Sequence, residues 1–145
     1  MIQRIQSIFL LAAAIGFALL FKLPFATSNT RESPFFDDQA FSASDHPVLI
    51  GLVVIGILVC AISIFQFNNR PLQIRMGYVA SIVALFTGIV AVWLVYSNAA
   101  QWSEALKIED GAGIYSSIAA LICVILAIYF IGKDEKTVRS MDRLR

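Results

Sequence analysis

VLIGLVVIGILVCAISIFQF, residues 48–67, runs without a single charged side chain. An α-helix rises about 1.5 Å per residue, so a run of this length covers the ~30 Å of hydrocarbon in a bilayer. The pattern repeats on both sides. Residues 5–21, 76–96 and 114–131 likewise contain no Lys, Arg, Asp or Glu, and every charge in the chain lies in the segments between and beyond these runs. The fold class expected is all-α: a polytopic membrane protein built as an antiparallel four-helix transmembrane bundle with an ordered first outer loop. One domain, residues 1–145, is expected, with a basic tail over 132–145.

Composition agrees. The 145 residues are 59% hydrophobic and only 14% charged, against roughly 25% charged in a soluble domain. Four spans consume about half of such a chain, which leaves short connections and no room for a second globular unit. Arg4 ahead of an apolar run, with Ala26-Thr27-Ser28 beyond it, loosely resembles a secretory leader. The sparse charge before the run favours an uncleaved first span.

Sorting the charges by loop gives an orientation. With the N-terminus inside, the inner segments hold Arg4, Arg70, Arg75, Lys133, Lys136, Arg139, Arg143 and Arg145, and the outer ones only Lys22, Arg31 and Lys107. Basic residues near span ends favour the cytoplasmic side, so both termini are expected there, in a bacterial inner membrane. The eight inner basic residues are the candidate contacts for lipid headgroups or for a partner.

Lipid tails are as apolar as leucine, so close packing at small side chains must select the bundle. Ala12 and Gly16, Gly56 and Cys60, Ala80, Ala84 and Gly88, and Ala119, Cys123 and Ala127 recur at helical spacing and give each span a packing face. Phe9, Phe17, Phe65 and Phe86 are left for lipid or a partner subunit. Ser63, Ser81, Thr87, Ser116 and Ser117 are expected to return their hydroxyls to the carbonyl one turn earlier. Tyr78, Trp93, Tyr96, Tyr115 and Tyr129 cluster toward span ends, as interfacial anchors do.

Chemistry-bearing constellations are sparse. Ionisable groups inside spans usually mark a transport path or proton relay, and these spans have none. His46 is the sole histidine, and Cys60 and Cys123 stand in different spans, so no metal site or cofactor is expected. No nucleophile elbow or phosphate-cradling loop is present, and no nucleic-acid partner is expected.

The connections carry more information. The first outer loop, residues 22–47, holds four phenylalanines that should fold back over the bundle mouth, with a short β-hairpin as one form of that fold. Its Asp37-Asp38 pair reads as turn chemistry. In the second outer connection an interfacial helix over Ala99–Leu106, ended by Gly111 and Gly113, is expected. Asn68 to Arg75 forms a hairpin short enough to make the second and third spans antiparallel neighbours, with Pro71 starting or breaking the turn. The tail continues the fourth span as a helix, with Glu135 and Arg139 four apart, and is expected to lie along the inner leaflet.

Met1-Ile2-Gln3-Arg4-Ile5-Gln6-Ser7, Phe67-Asn68-Asn69-Arg70 with Leu72-Gln73-Ile74-Arg75, and Lys133-Asp134-Glu135-Lys136 running to Val138-Arg139-Ser140 and Asp142-Arg143-Leu144-Arg145 together resemble a Bacteroidota family of small four-span membrane proteins classed as a domain of unknown function. The resemblance implies four spans in an inner membrane and brings no reaction, ligand or catalytic residue. All the matching stretches lie on the expected cytoplasmic side. The functional expectation is a non-catalytic accessory or scaffold subunit of an inner-membrane assembly, with membrane lipids and a membrane protein as partners. The alternative is a small channel or carrier for a neutral or lipidic molecule; an enzyme would have only His46, Asp37 and Asp38 to work with.

Overall fold

The computed structural model describes residues 3–29, 38–97 and 108–142. Its elements, in chain order, are α1 (Gln3–Leu19), β1 (Ala26–Ser28), β2 (Ala40–Phe41), a 3-10 turn (Ala43–Asp45), α2 (Pro47–Phe65), α3 (Arg70–Ser97), β3 (Ile108–Asp110) and α4 (Ala112–Asp142). Each helix packs on the next and α4 closes back on α1, giving an antiparallel ring of four.

Helix boundaries follow local chemistry. Pro47 opens α2, where its missing N–H costs nothing and its fixed φ suits the first turn. His46 caps it, Nδ1 accepting from the Val48 N–H at 3.3 Å. A tight turn follows α2, and Asn69 then caps α3, its Oδ1 accepting from the Leu72 N–H at 3.3 Å. Pro71 therefore sits inside the first turn of α3. That helix starts at Arg70, well before the apolar run that begins at Met76, because capping and a first-turn proline decide the start and hydropathy does not.

Among the described residues three helices, within α2, α3 and α4, are long and apolar enough to cross a membrane; α1, at 17 residues, is a shorter apolar helix. Their outer faces carry large aliphatic residues, with Leu58 54%, Ile82 56% and Ile118 50% exposed, while Ala13, Gly56, Ala80, Ala84, Ala91, Ala120 and Ala127 face inward. Small side chains inside and large apolar ones outside invert the arrangement of a water-soluble bundle. An apolar exterior of this extent needs lipid around it. The chain is a membrane protein.

The interior is filled by knobs seated on small residues. Phe17, expected at the lipid surface, is fully buried instead, its ring lying where a side chain on Gly56 would be. The glycine opens a hollow in α2 that the Phe17 ring of α1 fills. Gly16 meets Ala120 closely enough that an added Cβ would stand 3.0 Å from the alanine's own. Gly77 meets Ile128 in the same way.

The span hydroxyls divide. Ser81 and Thr87 donate to the carbonyls of Gly77 and Val83 at 3.1 and 2.8 Å, one turn back, as expected. Ser116 and Ser117 do not. They donate across helix interfaces, to the Gly16 carbonyl at 3.0 Å and the Ala84 carbonyl at 3.3 Å. The acceptors lie in α1 and α3 beside glycine or alanine, where no side chain keeps the hydroxyl from the neighbouring backbone.

One end of the bundle is closed by a small sheet of order β2-β1-β3, all antiparallel. The hairpin between β1 and β2 pairs Ala26 with Phe41 and Thr27 with Ala40. Phe25 and Phe41 are buried beneath it, their rings 6.4 Å apart. The helix expected over Ala99–Leu106 lies outside the described residues. Gly111 follows strand β3 and Gly113 lies in the first turn of α4. They let this segment meet the chain at Pro24: the Gly111 N–H donates to the Phe25 carbonyl at 2.9 Å and the Gly113 N–H to the Pro24 carbonyl at 2.7 Å. A Cβ on Gly111 would collide with the Pro24 carbonyl.

At the other end α4 runs unbroken for 31 residues, about 46 Å at 1.5 Å per residue. An unbroken helix of that length projects past ~30 Å of hydrocarbon. The described part of the tail therefore continues along the axis of α4 and does not turn to lie along a leaflet.

Candidate functional site at the basic end of the bundle

The end opposite the sheet collects the start of α1, the α2–α3 turn and the last turns of α4. Three of the four helix interfaces there are tied by a polar contact. The Gln6 amide of α1 donates to the Phe130 carbonyl of α4 at 3.3 Å, and Phe9 stacks on Phe130 with ring centroids 5.4 Å apart. Buried Gln73 of α3 donates to the Ser63 carbonyl at 3.0 Å, a last-turn carbonyl of α2 that also accepts from the Gln66 N–H at 3.2 Å. Arg70, at the start of α3, pairs with Asp134 of α4 at 3.0 Å. Their side chains are 21% and 11% exposed, which screens the pair less than a surface salt bridge.

Beside this pair, the α3–α4 seam opens into a groove of about 380 Å³ lined by Ile74, Tyr78, Ile128, Tyr129, Gly132, Lys133 and Lys136. Gly132 borders open space in this groove: a Cβ there would meet nothing within 4 Å. Lys133 and Lys136 are exposed and stand one turn apart on the same helix face. Farther along the seam, toward the sheet, a second groove of about 540 Å³ is lined by apolar residues including Ala84, Leu85, Gly88, Trp93, Ile118 and Leu121. Positions 78, 85, 89 and 92 of α3 and 132, 128, 121, 118 and 114 of α4 repeat at helical spacing, which puts both grooves on one outer face.

Of the eight basic residues singled out by the sequence, Arg70, Lys133 and Lys136 come together here. Arg70 is committed to Asp134, and Arg75 is exposed one position beyond groove residue Ile74. Arg4 and Arg139 lie on α1 and α4 at this same end; their side chains are not described, and Arg143 and Arg145 lie outside the described residues. The sequence reading missed four contributors. Asp134 was one of several tail acids, Tyr78 and Tyr129 were general anchors, and Gly132 was overlooked, although a glycine between an apolar run and a lysine is the signal that could have found it.

The remaining candidates serve the fold. Asp38 accepts the Ala40 N–H at 3.3 Å in a turn, His46 caps α2, and Asp37 lies outside the described residues. Cys60 is buried in α2 and Cys123 half-buried in α4, both as free thiols. Among the described residues no three His, Cys, Asp or Glu side chains converge as a metal site would need.

A family model described as "Domain of unknown function (DUF4293)" matches residues 2–144. No curated protein and no solved structure matches.

Proposed function

The chain belongs to the DUF4293 family, a domain of unknown function, and we propose that it is a non-catalytic accessory or scaffold subunit of an inner-membrane assembly. In this reading α1 also spans, both termini are cytoplasmic, and docking uses the basic end or the lipid-facing helices. One observation carries the proposal. Of the buried polar side chains, Gln6, Gln73, Ser116 and Ser117 bond the backbone of a neighbouring helix, Asp134 forms an interhelical ion pair, Thr87 bonds the carbonyl one turn back in its own helix, and the Ser63 hydroxyl alone has no partner among the described residues. Apart from that one hydroxyl, the chemistry of the described residues that is free to meet another molecule lies outside the bundle, on the apolar faces and at the basic end.

The orientation is supported by the charges. Arg70, Arg75, Lys133 and Lys136 gather at the terminal end, while Asp38, Asp45, Glu109 and Asp110 lie toward the sheet end with Lys22. Basic segments flanking spans are retained in the cytoplasm. Passage through the bundle gains no support, since Phe17 on Gly56 and Ala120 on Gly16 occupy the space between α1 and its neighbours.

The test is extraction from native membranes in mild detergent. A complex of fixed mass, containing this chain in constant ratio to another membrane protein and lost on combined Arg75→Glu and Lys136→Glu substitution, is the expected result. A monomer carrying only lipid refutes the proposal.

A further inference from the structure

We propose that the α3–α4 seam at the basic end binds one anionic phospholipid, its phosphate held by Lys133 and Lys136 and one acyl chain laid along the seam toward Leu85 and Leu121. The inference rests on the membrane reading above and names the lipid that one of its surfaces takes.

Three observations converge on that occupant. The groove joins two exposed lysines to two tyrosines, Tyr78 and Tyr129, over a floor of Ile74, Ile128 and an open Gly132. A phosphodiester with a glycerol body matches that sequence of cationic, amphipathic and apolar surface. Second, the local charge is basic. The neighbouring carboxylates are Asp134 and Glu135, and Asp134 is turned toward Arg70, away from any role against the lysines. Third, the length fits. Half of a bilayer core is about 15 Å, or about 10 residues of helix, which carries an acyl chain from Tyr78 and Tyr129 to the near edge of the second, apolar groove at Leu85 and Leu121. A peptide helix would also cover the apolar groove but would have no use for a lysine pair set beside tyrosine hydroxyls at its end.

Native mass spectrometry of the full chain in neutral-detergent micelles tests this, with phosphatidylglycerol, phosphatidylcholine and inorganic phosphate as separate probes. One phosphatidylglycerol is expected to stay bound where phosphatidylcholine is lost, and excess inorganic phosphate is expected not to displace it. Combined Lys133→Ala and Lys136→Ala substitution should weaken phosphatidylglycerol by about thirtyfold, the joint worth of two lysines at an anionic lipid surface. Gly132→Leu should weaken both lipids by filling the groove; a Cβ there meets no protein atom within 4 Å, so the side chain enters open space and the test survives if the double variant does not fold. Arg75→Ala, outside the groove, should leave binding within about twofold, less than the worth of one such lysine. Equal retention of the two lipids, displacement by inorganic phosphate, or an equal loss at Arg75→Ala would each overturn the proposal. The experiment uses the isolated chain, so its failure leaves the docking reading intact, and failure to recover a partner leaves this one intact.

Discussion

Gly56→Ala is the most demanding test of how the bundle holds together. The new Cβ would stand 2.5 to 2.7 Å from three carbons of the Phe17 ring, where carbon atoms in ordinary contact keep about 3.5–4.0 Å. The ring must retreat by about 1 Å. It has no exposed surface, so the retreat is passed to the spacing of α1 and α2. Overpacking of this kind costs about 1–3 kcal/mol, and a midpoint of about 2 kcal/mol lowers the folding equilibrium roughly thirtyfold. Equilibrium unfolding in mixed micelles, followed by circular dichroism, reads this directly. Phe17→Leu in the same chain shortens the knob and should restore at least half the loss, a coupling of about 1 kcal/mol in the double-mutant cycle. An alanine variant as stable as the parent, or strictly additive effects of the two substitutions, would refute the assignment of Phe17 to the hollow at Gly56.

Other outcomes follow from the same contacts. Arg70→Ala should destabilise by about 2 kcal/mol, because it leaves Asp134 enclosed without its cation, and adding Asp134→Asn should recover part of the loss in the same unfolding assay. Ser116→Ala and Ser117→Ala should each cost about 0.6 kcal/mol, the usual worth of an interhelical hydrogen bond in a membrane, and the two should add. Gly111→Val should part β3 from Pro24 and Phe25, read as faster proteolysis of the sheet-end connections with α2 and α3 unaffected. In a chain with Cys60 and Cys123 replaced by alanine, Ser28→Cys should react with a membrane-impermeant maleimide on intact cells and Lys136→Cys only after lysis; the reverse pattern would invert the proposed orientation.

The helical bundle was legible because hydropathy and helix length are properties of single segments. Contacts that depend on two segments were not. Nothing in α1 distinguishes Phe17, which is buried, from residues that face lipid; the difference is made by Gly56, far away in the chain. Ser116 and Ser117 look like any span hydroxyl until Gly16 and Ala84 are brought against them. The hairpin of β1 and β2 was foreseeable from a local loop, whereas β3 joins it from the connection after α3 and carries no strand pattern strong enough to read alone. At the basic end, Lys133 and Lys136 could be picked out by charge, but the pairing of Arg70 with Asp134 and the groove over Gly132 exist only once α3 and α4 are side by side.

The docking proposal meets its most direct test in the mass of the particle released from native membranes. A fixed complex, with this chain in constant ratio to a second membrane protein and dissolved by Arg75→Glu with Lys136→Glu, is the predicted result. A particle of one chain and its lipids, unchanged by those substitutions, would contradict it.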